Sequence, residues 1–187
     1  MAKVYEFLAT GFEDIEALIP LDIMRRAGVD FKTVSVTGEL IVESAHGVGI
    51  KADMLIEDTD FSDADLIMLP GGLPGATNLN AHNGVKKAVV EHNARGKMIG
   101  AICAAPMVLG GLGLLQGRRA TCYPGFEKHL EGAEYTHELC TVDGNITTGE
   151  GPAAALPYAY TLLAALTDRQ TADQVAEGMM YKHLMLR

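Results

Sequence analysis

The chain has 187 residues, 48% hydrophobic and 21% charged, with 15 Lys+Arg against 24 Asp+Glu and a formal net charge of −9. That length suits one domain, able to bury roughly 70% of its unfolded surface without staples, and the composition excludes a disordered chain. The acidic excess argues against non-specific nucleic-acid binding and against an anionic membrane surface, since both need clustered cations.

Residues 4–9 read as a first strand, broken at Gly11. Residues 13–27 read as a helix, with Arg25 and Arg26 near its negative end and Gly28 as a stop. Residues 31–36 are a second strand, and 40–56 alternate weakly around Gly47 and Gly49, which suggests a hairpin excursion. Residues 65–69 form a buried strand closed by Pro70-Gly71-Gly72, then 85–93 a helix. Residues 98–102 are another apolar strand, running straight into Cys103 and a helix of small residues over 104–115. A strand is expected at 120–123, and a hairpin over 139–148 around Asp143-Gly144, a common tight-turn pair. Helices over 153–166 and 172–180 close the chain.

Strands alternating with helices imply an α/β fold with a mainly parallel sheet covered on both faces. No linker, repeat or low-complexity segment divides the chain, so residues 1–187 are expected to form a single domain. Ligands of such folds bind at the carboxyl ends of strands, which singles out Thr10-Gly11, Gly71-Gly72 and Cys103. The N-terminus lacks the basic and apolar regions of a secretory signal. The longest apolar stretch, 153–166, contains Pro157 and falls short of the ~20 residues a bilayer requires. The three cysteines lack C-x-x-C spacing, which argues against a disulfide framework and a zinc ribbon, and free thiols suit a reducing cytoplasm.

Cys103 carries the strongest chemical signal. A residue at a sharp strand-to-helix turn presents its side chain above the sheet edge, as a nucleophile elbow does. A helix N-terminus there would lower the thiol pKa. The plainer reading is a buried structural cysteine. Glu16 comes second: Phe12, Glu16, Ile19, Ile23 and Ala27 recur at helical spacing, which places a carboxylate on an apolar stripe. A buried carboxyl has a raised pKa and can move protons at neutral pH; the plainer reading is a solvated first-turn glutamate. The run 70–75 is neither a phosphate loop nor a dinucleotide fingerprint, and taken alone it reads as a turn. The six histidines show no metal-ligand spacing, so no metal is expected. Cys122 and Cys140 lie in strand-like runs and read as inert core thiols.

Several blocks together resemble one family: Gly11-Phe12-Glu13-Asp14-Ile15-Glu16-Ala17, Leu69-Pro70-Gly71-Gly72, Ala101-Ile102-Cys103-Ala104-Ala105-Pro106 and Gly151-Pro152. In this order and spacing the chain resembles the ThiJ/PfpI superfamily, specifically the branch of Parkinson disease protein seven and its bacterial relatives. The resemblance implies a flavodoxin-like three-layer sandwich, usually a homodimer. It implies Cys103 as reactive thiol, Glu16 as its carboxyl partner, and the N–H groups of Gly72 and Ala104 as an anion or oxyanion pocket. Gly71, His46, Tyr123 and Arg26 are candidates for the pocket rim. Peptidase-like members place a His directly after the cysteine, where this chain has Ala104. Tyr123 stands where several members have a His, Glu150 where some have an Arg, and His46 where some have an Arg reaching in from a neighbouring subunit.

The expected activity is that of a cofactor-free glyoxalase or deglycase acting on small reactive carbonyls, such as methylglyoxal, or on glycated amines. The alternative is a cysteine-oxidation sensor or stress chaperone without turnover. An amidase or peptidase ranks last, because no histidine base is identifiable.

Overall fold

The computed structural model of the chain describes residues 1–185. In chain order its elements are β1 (Lys3–Leu8), α1 (Asp14–Arg26), β2 (Asp30–Ser35), β3 (Ile41–Glu43), β4 (Gly49–Lys51), β5 (Met54–Leu55), β6 (Leu66–Leu69), α2 (Gly75–Ala81), α3 (Asn83–Ala94) and β7 (Met98–Ile102). There follow α4 (Pro106–Gly111), β8 (Arg119–Ala120), β9 (Glu134–Tyr135), β10 (Cys140–Asp143), β11 (Ile146–Gly149), α5 (Ala155–Leu166), α6 (Arg169–Gly178) and α7 (Tyr181–Met185).

Seven strands form one sheet in the order β10-β11-β7-β6-β1-β2-β5. Every pair is parallel except the β10–β11 hairpin at the edge. Every residue of β6 is buried, as a strand covered on both faces must be. One layer is built from α1, α5 and α6, packed against one another, and the other from α2, α3 and α4. This is the mainly parallel sheet covered on both faces that the strand–helix alternation implied, and the flavodoxin-like sandwich that the family resemblance implied. The 40–56 excursion is the β3–β4 hairpin, paired Ile41 to Lys51. Among the described residues no helix is long and apolar enough to cross a membrane.

Three expectations need correction. The helix expected over 104–115 is only Pro106–Gly111. The chain leaves the helix at Gly113, whose φ is 71°, with the Leu114 N–H on Leu109 O at 3.0 Å. The strand expected at 120–123 shrinks to Arg119–Ala120, which pairs with β9 apart from the main sheet; Cys122 therefore lies outside any strand. Helix α2 was not anticipated, since Gly75-Ala-Thr-Asn-Leu-Asn-Ala carries little helical signal.

The strands that matter for chemistry are β1, β6 and β7, adjacent at the centre of the sheet. Their carboxyl ends open on one side, at Thr10–Gly11, Gly71–Gly72 and Cys103. Hydrogen bonds stitch the first two exits together: Glu13 N–H to Gly71 O at 3.0 Å, Gly75 N–H to Gly11 O at 3.1 Å.

Candidate active site

Cys103 is the first residue beyond β7, and its φ of 63° is a conformation that non-glycine residues rarely adopt. Its surroundings hold it there. Its N–H donates to Gly149 O at 2.9 Å, and its carbonyl accepts from Tyr123 N–H at 2.8 Å. The residue is 8% exposed. The backbone N–H groups of Gly72 and Ala104 act on the sulfur and favour its charged form.

Glu16 lies in the first turn of α1 with no exposed surface. Its Oε2 accepts the Gly71 N–H at 2.9 Å, and the Cys103 thiol lies close enough to favour the ionised carboxylate. Oε1 has no partner among the described residues. Burial pushes the Glu16 carboxyl up to about 7, against the pull of the Cys103 and Gly71 hydrogen bonds. The spacing argument for a carboxyl on the apolar face of a helix is thus met by the geometry.

The thiol departs from expectation. Burial, and next the Glu16 charge, push Cys103 up to about 12, and the Gly72 and Ala104 N–H groups only partly oppose this. The helix-dipole argument fails because α4 begins only at Pro106 and is six residues long. Two buried acids side by side cannot both ionise. The pair carries one negative charge at most near neutrality, on Glu16, with Cys103 as a neutral donor to it.

Glycine at 71 and 72 is what permits this closeness. A Cβ on Gly71 would fall 2.6 Å from Glu16 Oε2 and 2.7 Å from Cys103 Cβ. Gly72 has φ +84°, and a Cβ there would fall 2.4 Å from Glu13 N.

The four rim candidates separate. Gly71 is at the centre. Tyr123 is tied to the elbow by its backbone, and its exposed ring lies over Gly151. With Pro124, Leu139, Glu150 and the 151–154 turn it lines an open cavity of about 280 Å³. His46 is exposed and sits beside the first exit, its Nδ1 2.6 Å from Asp14 Oδ2 and 3.8 Å from Glu13 Oε2. Asp14, and next Glu13, raise its pKa. Arg26 is not brought to the rim. It lies roughly 15 Å along α1 from Glu16, pairs with Asp22 at 2.9 Å, and lines a different cavity with Thr171 and Met179.

Glu13, Asp14 and His46 bring their ligand atoms within 4.8 Å of one another, a donor set that could hold a cation. The His46 ring and the Ser44 hydroxyl, 2.6 Å from Asp14 Oδ1, already hydrogen-bond the Asp14 carboxylate. Sequence spacing could not reveal this cluster, because a turn of the β3–β4 hairpin supplies the histidine. Cys122 is buried and pushed up to about 12 by burial, as an unreactive core thiol is. Cys140 is half-buried and raised for the same reason.

A parallel α/β sandwich with a cysteine at a strained strand exit, a buried carboxyl against it and two backbone N–H groups on its sulfur defines the flavodoxin-like cysteine-elbow proteins. Residues 2–165 match the DJ-1/PfpI family, and the chain belongs to that family. It is 38% identical over 182 residues to protein DJ-1 homolog B of Arabidopsis thaliana, covering 96% of this chain but only 42% of the plant protein. The chain thus spans less than half the length of that relative. It is 35% identical to the Parkinson disease protein 7 homolog of Danio rerio, covering 94% of this chain and 95% of the fish protein. The deglycase PH1704 of Pyrococcus horikoshii is 30% identical over 162 residues, covering 81% of this chain and 91% of the archaeal one. Among solved structures, a cysteine-to-alanine mutant of the DJ-1 superfamily protein STM1931 from Salmonella typhimurium superposes with a TM-score of 0.92 at 36% identity, covering 96% of this chain and 98% of that one.

Proposed function

We propose that the chain is a cysteine-dependent enzyme of the cytoplasm that converts small reactive carbonyls without a cofactor, as a glyoxalase or deglycase. The observation that carries this reading is the closeness of the buried Glu16 carboxylate to Cys103 across Gly71, where one added Cβ would lie 2.6 Å from Glu16 Oε2 and 2.7 Å from Cys103 Cβ, beside the N–H groups of Gly72 and Ala104. A thiol whose own pKa is high needs a base in contact with it, and Glu16, near 7, is poised to be that base. The relative named a deglycase supports the same class of chemistry.

Methylglyoxal offers the thiol an aldehyde carbon. Glu16 takes the thiol proton as the sulfur bonds to the aldehyde carbon. The N–H groups of Gly72 and Ala104 steady the developing oxyanion, which then receives that proton from Glu16 to give a hemithioacetal. The ionised Glu16 next removes the proton from the former aldehyde carbon and delivers it to the neighbouring carbon. The hydroxyl proton crosses to the second oxygen, leaving a 2-hydroxy thioester. Water cleaves the thioester, freeing lactate and the thiol. A deglycase would displace the amine from an aminocarbinol: the carbon–sulfur bond replaces the carbon–nitrogen bond, Glu16 passes the thiol proton to the departing amine, and the same hemithioacetal results. We further propose a homodimer, testable by light scattering.

The test is glutathione-free conversion of methylglyoxal to lactate by the pure protein, beside Cys103→Ser and Glu16→Gln. Loss of turnover in both, by about 10²-fold or more, is expected. Full turnover in Cys103→Ala would overturn the reading.

The Gly72 and Ala104 N–H groups favour a second reading, since they would also hold the oxygens of an oxidised sulfur. A protein that fails to turn over carbonyls, yet forms a Cys103 sulfinic acid with mild peroxide, would be a redox sensor. The groups acting on the sulfur include no imidazole, which disfavours an amidase or peptidase.

A further inference from the structure

Glu6 sits in the middle of β1, fully buried, and neither of its carboxyl oxygens has a hydrogen-bond partner among the described residues. The hydroxyl of Tyr158 on α5 is buried and unpartnered in the same way, and so is Oε1 of Glu16. Orphaned buried groups are rare in folded proteins, and each calls for an explanation.

The topology puts all three on one side of the sheet. Tyr5 and Phe7 turn to the other face, where both rings meet Phe61 edge-on. Alternation along β1 therefore aims Glu6 at the layer of α1 and α5. On that face Glu6 is in register with Met68 of β6, and Met68 with Gly100 of β7. Gly100 has no side chain, and the Tyr158 hydroxyl occupies the space: a Cβ there would lie 2.4 Å from it. Glu16 enters the same layer from α1, which packs on α5.

We propose that Glu6, Tyr158 and Glu16 are joined by a buried hydrogen-bonded chain closed by ordered water, through which Glu6 and Tyr158 act as positioning residues for the Glu16 carboxylate. This rests on the reading of Glu16 as the base. Buried waters commonly bridge such groups, with about three hydrogen bonds each. Donor counts set the direction. Burial keeps the Glu6 carboxyl and the Tyr158 phenol protonated at neutral pH, so each has a proton to donate. The ionised Glu16 can only accept. The protons therefore point from Glu6 through Tyr158 toward Oε1, and the chain favours the ionised base. The charged and titratable groups facing it are Glu13 and Cys103 beside Glu16, Arg25 of α1 toward Glu6, and Cys140 of β10 toward Tyr158. Arg25 is already committed to Phe31 O and Asp53.

Two measurements test this: the infrared spectrum at pH 8 and the pH profile of methylglyoxal turnover. The parent protein is expected to show the carbonyl stretch of a protonated carboxyl that disappears in Glu6→Gln and shifts in Tyr158→Phe. Tyr158→Phe and Glu6→Leu are each expected to raise the acid-side pKa of kcat/KM by about one unit, with KM little changed. Glu6→Gln, which retains a donor, is expected to keep the parent profile. Absence of the Glu6 band, or an unshifted band in Tyr158→Phe with superimposable pH profiles, would overturn the proposal. If the parent protein turns over no carbonyl, the assignment of Glu16 as base fails. The chain is then still decided by the infrared shift and by the titration of the Glu16 carboxylate band.

Discussion

Glu16 and Gly71, 55 positions apart, are joined by a hydrogen bond of 2.9 Å from the Gly71 N–H to Oε2. The contact leaves no room for a side chain. At position 71 a Cβ would lie 2.6 Å from Oε2, 2.7 Å from Cys103 Cβ and 2.9 Å from Ile102 O. Gly71→Ala is therefore expected to force Glu16 and Cys103 apart. We expect kcat/KM for methylglyoxal to fall by about 10²-fold, with a stability loss of about 1–3 kcal/mol. Steady-state kinetics and denaturant unfolding check both, and an alanine variant with parent activity would show that the contact has no role in turnover.

The pH dependence of turnover follows from which form of Glu16 works. Only the ionised carboxylate can take the thiol proton, and burial has pushed its pKa up to about 7. The rate is expected to be low at pH 5, to rise through about 7 and to level off above it. A profile already flat from pH 5 upward would assign the base to another group.

Removing the Glu16 charge should free the thiol. After burial, the Glu16 charge is the largest influence raising the Cys103 pKa, and its hydrogen bond adds to that. Glu16→Gln removes the charge and leaves the Gly72 and Ala104 N–H groups in place. Alkylation of Cys103 by iodoacetamide at pH 8, followed by intact-mass spectrometry, is expected to run about tenfold faster in this variant. Carbonyl turnover falls in the same protein. Opposite signs in one variant would separate a proton-transfer role from mere support of the thiolate.

Much of this site was legible because it obeys local rules. The strand at Met98–Ile102 was read with the bounds it has, and the cysteine after it stood out as an elbow. The three- and four-residue spacing from Phe12 to Ala27 placed Glu16 on the buried face of its helix. The rest depended on partners from elsewhere in the chain. The high thiol pKa arises from burial and next from Glu16, and only the fold supplies either at Cys103. At Gly110 a carbonyl 19 residues downstream passes so close that only glycine fits. The strand expected over 4–9 gives no sign of what surrounds Glu6, whose isolation is visible only once β2 and β6 flank it. Arg26 has the right helix but the wrong end of it.

Glu16 and His92 give opposed dependences of stability on pH, and each is exposed by removing the other. His92 is buried, its Nε2–H donating to Met98 O at 2.9 Å and its Nδ1 facing an Arg95 N–H at 3.3 Å. Burial, helped by the Arg95 and Lys97 charges, lowers its pKa from 6.5 to about 4. Between those values the unfolded chain binds a proton that the folded chain refuses, so stability falls as pH drops from 6.5 to 4. Glu16 does the reverse. Its folded pKa of about 7 exceeds the ordinary 4.5, so the folded chain keeps a proton that the unfolded chain sheds, and stability falls as pH rises from 4.5 to 7. The Glu16 contribution is on the order of 3 kcal/mol. The two slopes oppose each other in the parent protein. In Glu16→Gln the His92 slope should remain alone, giving a gain of stability at pH 8 that shrinks as the pH is lowered. In His92→Gln stability should decline from pH 4.5 to 7. Urea unfolding of the three proteins across pH 4–8 measures this directly. Parallel curves for all three would show that neither group keeps its shifted pKa in the fold.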